Sequence, residues 1–155
     1  MDSLHRLLTP TCTRANITAN SRKRALELAS EALANAHNLD PREILDQLLE
    51  RERLGSTAVG EGVALPHCRL SDCNQAIGAL LSLAEATEFD SPDESFVDLI
   101  FVLVVPKDAH QQHLAILADL AAVFVEPKNR ERLRSASNDD ELFHTMVELS
   151  EGLAA

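Results

Sequence analysis

Apolar and polar positions divide the chain into helical and extended stretches. Ala25, Leu28, Ala29, Ala32, Leu33 and Ala36 recur three and four residues apart, which predicts an amphipathic helix capped by Asn20 or Ser21 and running to about His37. Asp40-Pro41-Arg42-Glu43 reads as a second helix start: a capping aspartate, proline at the first helical position and glutamate at the third. That helix is expected to bury Ile44, Leu45, Leu48 and Leu49 and to end near Leu54, with Arg51 and Glu52 on its last turn. Ahead of both, residues 1–10 form an apolar-spaced lead-in and residues 12–17 an edge strand.

Extended structure follows. Val63-Ala64-Leu65 reads as a short buried strand that Pro66 stops. Residues 76–84 predict another strand, and the polar, proline-bearing residues 85–94 a loop. Residues 97–105 are almost wholly apolar and rich in β-branched side chains, the pattern of a strand buried on both faces, ended by Pro106. Asp108-x-x-Gln111 predicts the cap of a helix over residues 109–124, burying Leu114, Leu117, Leu120, Ala121 and Phe124. Residues 127–136 form a shorter polar helix. Asn138-x-x-Glu141 caps a last helix with Leu142, Phe143, Met146 and Leu149 inward. There is no internal repeat and no low-complexity linker. Strands embedded among helices give an α/β fold: one domain, residues 1–155, with a central mixed β-sheet flanked by helices.

Composition narrows the function classes. A chain of 155 residues can bury a real core, and 45% apolar residues exclude a disordered one. No apolar run approaches the roughly 20 residues needed to span a bilayer, and the N-terminal apolar stretch is too short for a signal peptide, so the expected location is cytoplasmic, without membrane insertion. Fourteen basic against 25 acidic residues leave a net charge of −11, which disfavours nucleic acid as a partner; it serves solubility and would also suit a basic protein. The absence of Trp and Tyr removes stacking platforms for bases. Cys12, Cys68 and Cys73 are an odd count in a leaderless chain, so disulfides are not expected.

The candidate chemistry lies in residues 55–70, which hold three of the five glycines. His67 follows the short strand and Pro66, at a position where the strand breaks into a loop and a side chain can point into a cleft. Arg69 is two residues on, and Ser56 and Thr57 supply hydroxyls. An imidazole with a guanidinium and hydroxyls suits a phosphoryl group: a neutral nitrogen attacks phosphorus and the donors hold its oxygens. No metal or other cofactor is required. The competing arrangement is a metal site from His67, Cys68, Cys73 and His110 or His113, but Cys68-x4-Cys73 is a poor zinc spacing. His113 falls in the early turns of its helix, where open amides and the dipole favour an anion. His5, His37 and His144 are expected to be surface or packing residues.

Gly55-Ser56-Thr57, Gly60-x-Gly62 and Leu65-Pro66-His67-Cys68-Arg69 together resemble the active-site signature of phosphotransferase-system IIA proteins of the fructose/mannitol type, nearest to their nitrogen-regulatory IIA branch. The resemblance covers most of the chain and implies a mannitol-type IIA-like fold. It implies that His67 accepts a phosphoryl group from a small histidine-containing carrier, and that His113, ahead of its Leu-x-x-Leu run, hydrogen-bonds that group. Arg51 matches the arginine of the family's Arg-Glu pair; it can contact phosphoryl oxygens or serve as a cation at a helix C-terminus. Ser56 and Thr57 can donate to phosphate or shape the turn, and Arg69 can touch phosphate or dock a partner. Cys68 departs from the glycine common at this place and brings expected oxidation sensitivity. Leu65, Val59 and Leu70 are expected to rim the docking patch.

The implied partners are an HPr-like phosphocarrier of the nitrogen branch (NPr), charged by an enzyme I-type kinase using phosphoenolpyruvate, and regulated target proteins bound according to phosphorylation state, in nitrogen and potassium homeostasis. One alternative is a sugar-transport IIA that passes phosphate to a IIB domain; a chain with no attached IIB, HPr or membrane segment favours the regulator. Another is a protein-binding module without phosphotransfer, against which stands the presence of His67, His113 and Arg51 together.

Overall fold

In the computed structural model residues 6–154 are described; residues 1–5, the first half of the N-terminal lead-in and with it His5, lie outside them. Strand β1 (Leu8–Ile17) is followed by helices α1 (Arg22–His37) and α2 (Pro41–Leu54). Three short strands come next, β2 (Ala58–Gly60), β3 (Val63–Ala64) and β4 (His67–Leu70), then the long strands β5 (Ile77–Thr87) and β6 (Val97–Pro106). Helices α3 (His110–Phe124), α4 (Pro127–Arg134) and α5 (Asp139–Ala154) complete the chain.

The sheet is mixed, in the order β1-β5-β6-β3-β2, with β4 also on β6. β5 runs antiparallel to β6, while β1 is parallel to β5, and β3 and β4 are parallel to β6. β1 is the expected edge strand, begun four residues earlier than its sequence suggested. β6 is apolar because it has neighbours on both edges and layers on both faces: Leu99, Ile100, Val102, Leu103 and Val104 have no exposed surface. Each buried aliphatic side chain of this size contributes about 1.5–3 kcal/mol. α1 and α2 pack together, α1 against β1 and β5 and α2 against β4; α3, α4 and α5 pack on one another, with α5 against β1.

The first two helices start and stop on local signals. The Ser21 hydroxyl accepts the Arg24 N–H at 3.0 Å, and Asn38 closes α1 in the left-handed region at φ 56°. Asp40 accepts the Arg42 N–H at 3.0 Å ahead of Pro41. At the last helix the Asn138 side chain accepts the Glu141 N–H at 2.8 Å, as the sequence predicts.

Three expectations need correction. β5 continues through Glu85 and Ala86 to Thr87, which pairs with Val97, so the loop is shorter than its polarity suggests. α3 is not capped by Asp108: a turn bond from Ala109 N–H to the Pro106 carbonyl (3.2 Å) puts Ala109 at the cap, and no side chain bonds there. Its inward face is His113, Ile116, Leu120, Val123 and Phe124, whereas Leu114 is 68% exposed and Ala121 is also exposed. Both stripes have helical spacing, and packing against the other helices and the sheet selects between them.

Candidate functional site

Pro66 interrupts the strand without ending it. Val63 lies opposite Leu99, Ala64 opposite Ile100 and His67 opposite Leu103, a constant offset, so β3 and β4 are two parts of one line along β6. Proline lacks an N–H, yet its carbonyl still accepts from Leu103 N–H at 2.9 Å. His67 therefore opens a strand; it does not leave one for a loop. In β4 the side chains alternate: Cys68 and Leu70 are buried, Arg69 is exposed and His67 half-buried.

The hairpin that delivers this line turns at Glu61–Gly62, both at positive φ (57° and 78°), the requirement of a tight two-residue turn matching the sheet twist. The Asp93 carboxylate pins it, accepting the Ser95 hydroxyl (2.6 Å), the Glu61 N–H (2.9 Å), the Ser91 hydroxyl (2.8 Å) and the Ser95 N–H (3.0 Å). These bonds hold its carboxyl well below the usual carboxylate range.

Around His67 three elements converge. Its Nδ1 is 2.8 Å from the Leu65 carbonyl. A carbonyl can only accept, so Nδ1 carries the hydrogen and Nε2 the lone pair. From the last turn of α2, Arg51 directs Nε–H at that Nε2 from 3.4 Å, and its Nη1 donates to the Gly55 carbonyl at 2.8 Å. From the first turns of α3, the His113 ring stands edge-on to the His67 ring, centroids 5.0 Å apart at 86°. His113 is buried on α3's inward face, and its N–H makes a helical bond to Ala109 (3.0 Å). The α3 first turn, whose Ala109 cap supplies no side-chain acceptor, is thus brought beside His67.

Burial pushes the His67 pKa below its ordinary value; Arg51 and Arg69 push it the same way, against the Leu65 carbonyl and the Glu52 charge. The ring is neutral at neutral pH, with one lone pair directed at a guanidinium. Such a group can attack an electrophile while cationic donors hold the oxygens around it.

The other candidates are placed as follows. Ser56 donates its hydroxyl to the Phe89 carbonyl and accepts the Ala58 N–H at 3.1 Å. Thr57 is buried, its hydroxyl and N–H both bonded to the Glu52 carboxylate. Both hydroxyls thus shape the turn in this structure. Cys68 is buried on the face away from His67; burial, and after it the neighbouring Cys73, push its thiol up to about 12, which contradicts the expected oxidation sensitivity because thiolate is the reactive form. Among the described residues no group of three or more His, Cys, Asp or Glu is placed to hold a metal ion. Leu65 and Leu70 are buried in the core and form no rim; Val59 is 56% exposed, and so are Leu54 (85%) and Leu114, neighbours in sequence of Arg51 and His113. His144 is exposed, and His37 is partly buried.

Sequence reading passed over Glu52. It continues the buried stripe of α2, four residues after Leu48 and eight after Ile44, and that spacing was the available signal.

The model of the family described as phosphoenolpyruvate-dependent sugar phosphotransferase system, EIIA 2, matches residues 6–148. The chain belongs to this family. Among EIIA 2 relatives it is 40% identical over 153 residues to a nitrogen regulatory protein of Pseudomonas aeruginosa, covering 98% of this chain and 99% of that one. The crystal structure of nitrogen regulatory protein IIA-Ntr from Neisseria meningitidis superposes with a TM-score of 0.86 at 35% identity, covering 91% of this chain and 97% of that one. The mannitol IIA structure from Escherichia coli, 21% identical with a TM-score of 0.70 over 84% of this chain and 92% of that one, shares the fold. No helix among the described residues is long and apolar enough to cross a membrane.

Proposed function

We propose that this EIIA 2 protein is a phosphohistidine-carrying regulator: His67 accepts a phosphoryl group from a histidine on an HPr-like carrier of the nitrogen branch (NPr), and the phosphorylated and free forms bind different target proteins in the cytoplasm. The observation that carries the reading is the neutral His67 ring with its Nε2 lone pair facing Arg51 and the His113 ring set perpendicular beside it. Nε2 attacks phosphorus in line. The carrier's N–P bond breaks as the new one forms, and the Leu65 carbonyl steadies the positive charge growing on the ring. Arg51 and His113 hold the phosphoryl oxygens, so that the work is positioning and electrostatics with no metal required. Arg69, on the same face of β4 as His67, adds positive charge at the rim.

Leu54, Val59 and Leu114, exposed apolar residues on the segments that carry Arg51, the turn before His67, and His113, are the candidates on which the carrier docks. A phosphoryl group adds about −1.5 to −2 charges to this patch. Partners presenting acidic groups are then repelled, and partners presenting Arg or Lys are favoured. The regulatory role, in preference to handing phosphate to a IIB domain, rests on the similarity to proteins named nitrogen regulatory.

The test is to incubate the protein with phosphoenolpyruvate, an enzyme I-type kinase and its carrier, and to measure acid-labile, base-stable phosphate. Full labelling of the wild type and none of His67→Ala is expected; undiminished labelling of His67→Ala would sink the assignment.

A further inference from the structure

Glu52 is a carboxylate on a buried helix stripe, its side chain 4% exposed. A leucine there would continue Ile44 and Leu48 with no charge to desolvate. What the carboxylate does, and leucine cannot, is accept hydrogen bonds. It takes the Thr57 N–H (3.3 Å) and the Thr57 hydroxyl, and it pairs with Arg22 of α1 at 3.4 Å. Arg22 also reaches the Phe89 carbonyl (3.4 Å), the same acceptor that receives the Ser56 hydroxyl, and lies over the Phe89 ring at 5.9 Å. Ser56 and Thr57 are therefore both tied down from beneath. Just before them Gly55 presents its carbonyl to Arg51 Nη1 at 2.8 Å, and the same guanidinium faces His67.

We propose that Glu52 is a positioning residue for phosphoryl acceptance at His67: it fixes the Gly55–Thr57 turn, whose Gly55 carbonyl holds the Arg51 guanidinium against the imidazole. The inference rests on the function proposed above and names a residue that acts through Arg51. A guanidinium has several staggered ways to leave the α2 terminus. The carbonyl at its end selects the one in which Nε–H points at His67, and that carbonyl is only as fixed as its turn. Glu52 acts a second way, through charge. The groups facing His67 are Arg51 and Glu52 from α2, Arg69 from β4 and His113 from α3; those facing Glu52 are Arg22 and Thr57. Glu52 is the anion of this set and opposes the two arginines.

A double-mutant cycle separates this role from a structural one. Transfer rates from a phosphorylated histidine carrier are measured for wild type, Glu52→Ala, Glu52→Gln, Arg51→Ala and the Glu52→Ala/Arg51→Ala pair. Misplacing the guanidinium should slow Glu52→Ala by about 10–100-fold. Glu52→Gln, which can still accept from Thr57, should recover part of this. In the Arg51→Ala background the Glu52 substitution should add little, because the group it positions is gone. A Glu52→Ala rate equal to wild type, or a loss carried undiminished into the Arg51→Ala background, overturns the proposal while leaving phosphoryl acceptance intact. A wild type that takes no phosphoryl group overturns both. Should Glu52→Ala fail to fold, Glu52→Leu, which fills the buried stripe but cannot accept from Thr57, takes its place in the cycle: a rate equal to wild type, or a loss carried undiminished into the Arg51→Ala background, refutes the assignment.

Discussion

Replacing Arg51 by alanine separates the chemistry of the site from its stability. The substitution removes the Nε–H that faces His67 Nε2 at 3.4 Å and the Nη1 bond to the Gly55 carbonyl at 2.8 Å. On the stability side, a hydrogen bond to a carbonyl at a solvated helix end is worth about 0.5–1.5 kcal/mol. A cation in a helix's last turn adds about 0.3–1 kcal/mol. The fold should therefore lose no more than about 2.5 kcal/mol, and less if water replaces the guanidinium. On the rate side, losing a preorganised donor to a phosphoryl group in transfer costs about 10²–10³-fold. Arg51 also lowers the His67 pKa, so its loss raises that pKa toward the ordinary value. The assay should run at pH 7.5, where the ring is mostly neutral in either protein, so that the rate reports the donor and not titration. Rapid-quench measurement of transfer from a phosphorylated carrier, with urea unfolding of the same samples, gives both quantities. Arg51→Lys keeps the charge without the planar fork and should fall between. A rate for Arg51→Ala within about threefold of wild type would show that the guanidinium takes no part in transfer.

His113→Ala should fold but accept phosphate about 10²–10³-fold more slowly; a change below about threefold in the same rapid-quench assay would remove His113 from the site. The His67 pKa is depressed below 6.5, chiefly by burial, so the acid limb of acceptance should be centred below pH 6.5. With the folded pKa below the unfolded one, the ring's contribution to stability is full above about 6.5 and is lost as pH falls through the folded value; an acid limb centred above 6.5 in a rate–pH profile contradicts this. Gly62 sits at φ 78°, where an added Cβ would lie 2.5 Å from Arg134 Nη2 and 3.1 Å from Asp98 Oδ1. Gly62→Ala should cost about 1–2 kcal/mol for the left-handed backbone alone, and somewhat more as Arg134 shifts from Asp98; a loss under about 0.5 kcal/mol in urea unfolding would contradict the turn geometry.

The features legible in the sequence are those with local causes. Asp40-Pro41 starts α2, and an almost wholly apolar run rich in β-branched residues makes β6, because caps and burial on two faces act on the residues that carry them. His67 was legible as a candidate because a glycine-rich stretch and a proline mark its place, whereas Arg51 became one through the family resemblance of its Arg-Glu pair. Pro66 was misread because it removes a donor, the usual mark of a strand's end, while the line resumes along β6 on carbonyl acceptors that sequence does not display. On α3 Leu120 and Phe124 are buried as expected and Leu117 packs partly against the core, but Leu114 and Ala121 face outward where Ile116 and Val123 are buried; all are apolar, and only the packing decides. Glu52 was placed on the last turn of α2 without a role. Its burial depends on Thr57 and on Arg22, 30 residues away in sequence, a pairing that no local pattern announces.

The central claim is that His67 is the acceptor and that its Nε2 makes the bond. NMR of the ¹⁵N-histidine-labelled protein, phosphorylated through its carrier, tests this through the one-bond phosphorus–nitrogen coupling on the His67 ring. The coupling is expected at Nε2, with Nδ1 still bearing its hydrogen toward the Leu65 carbonyl. Phosphorus coupled to Nδ1, or carried by any residue other than His67, contradicts it.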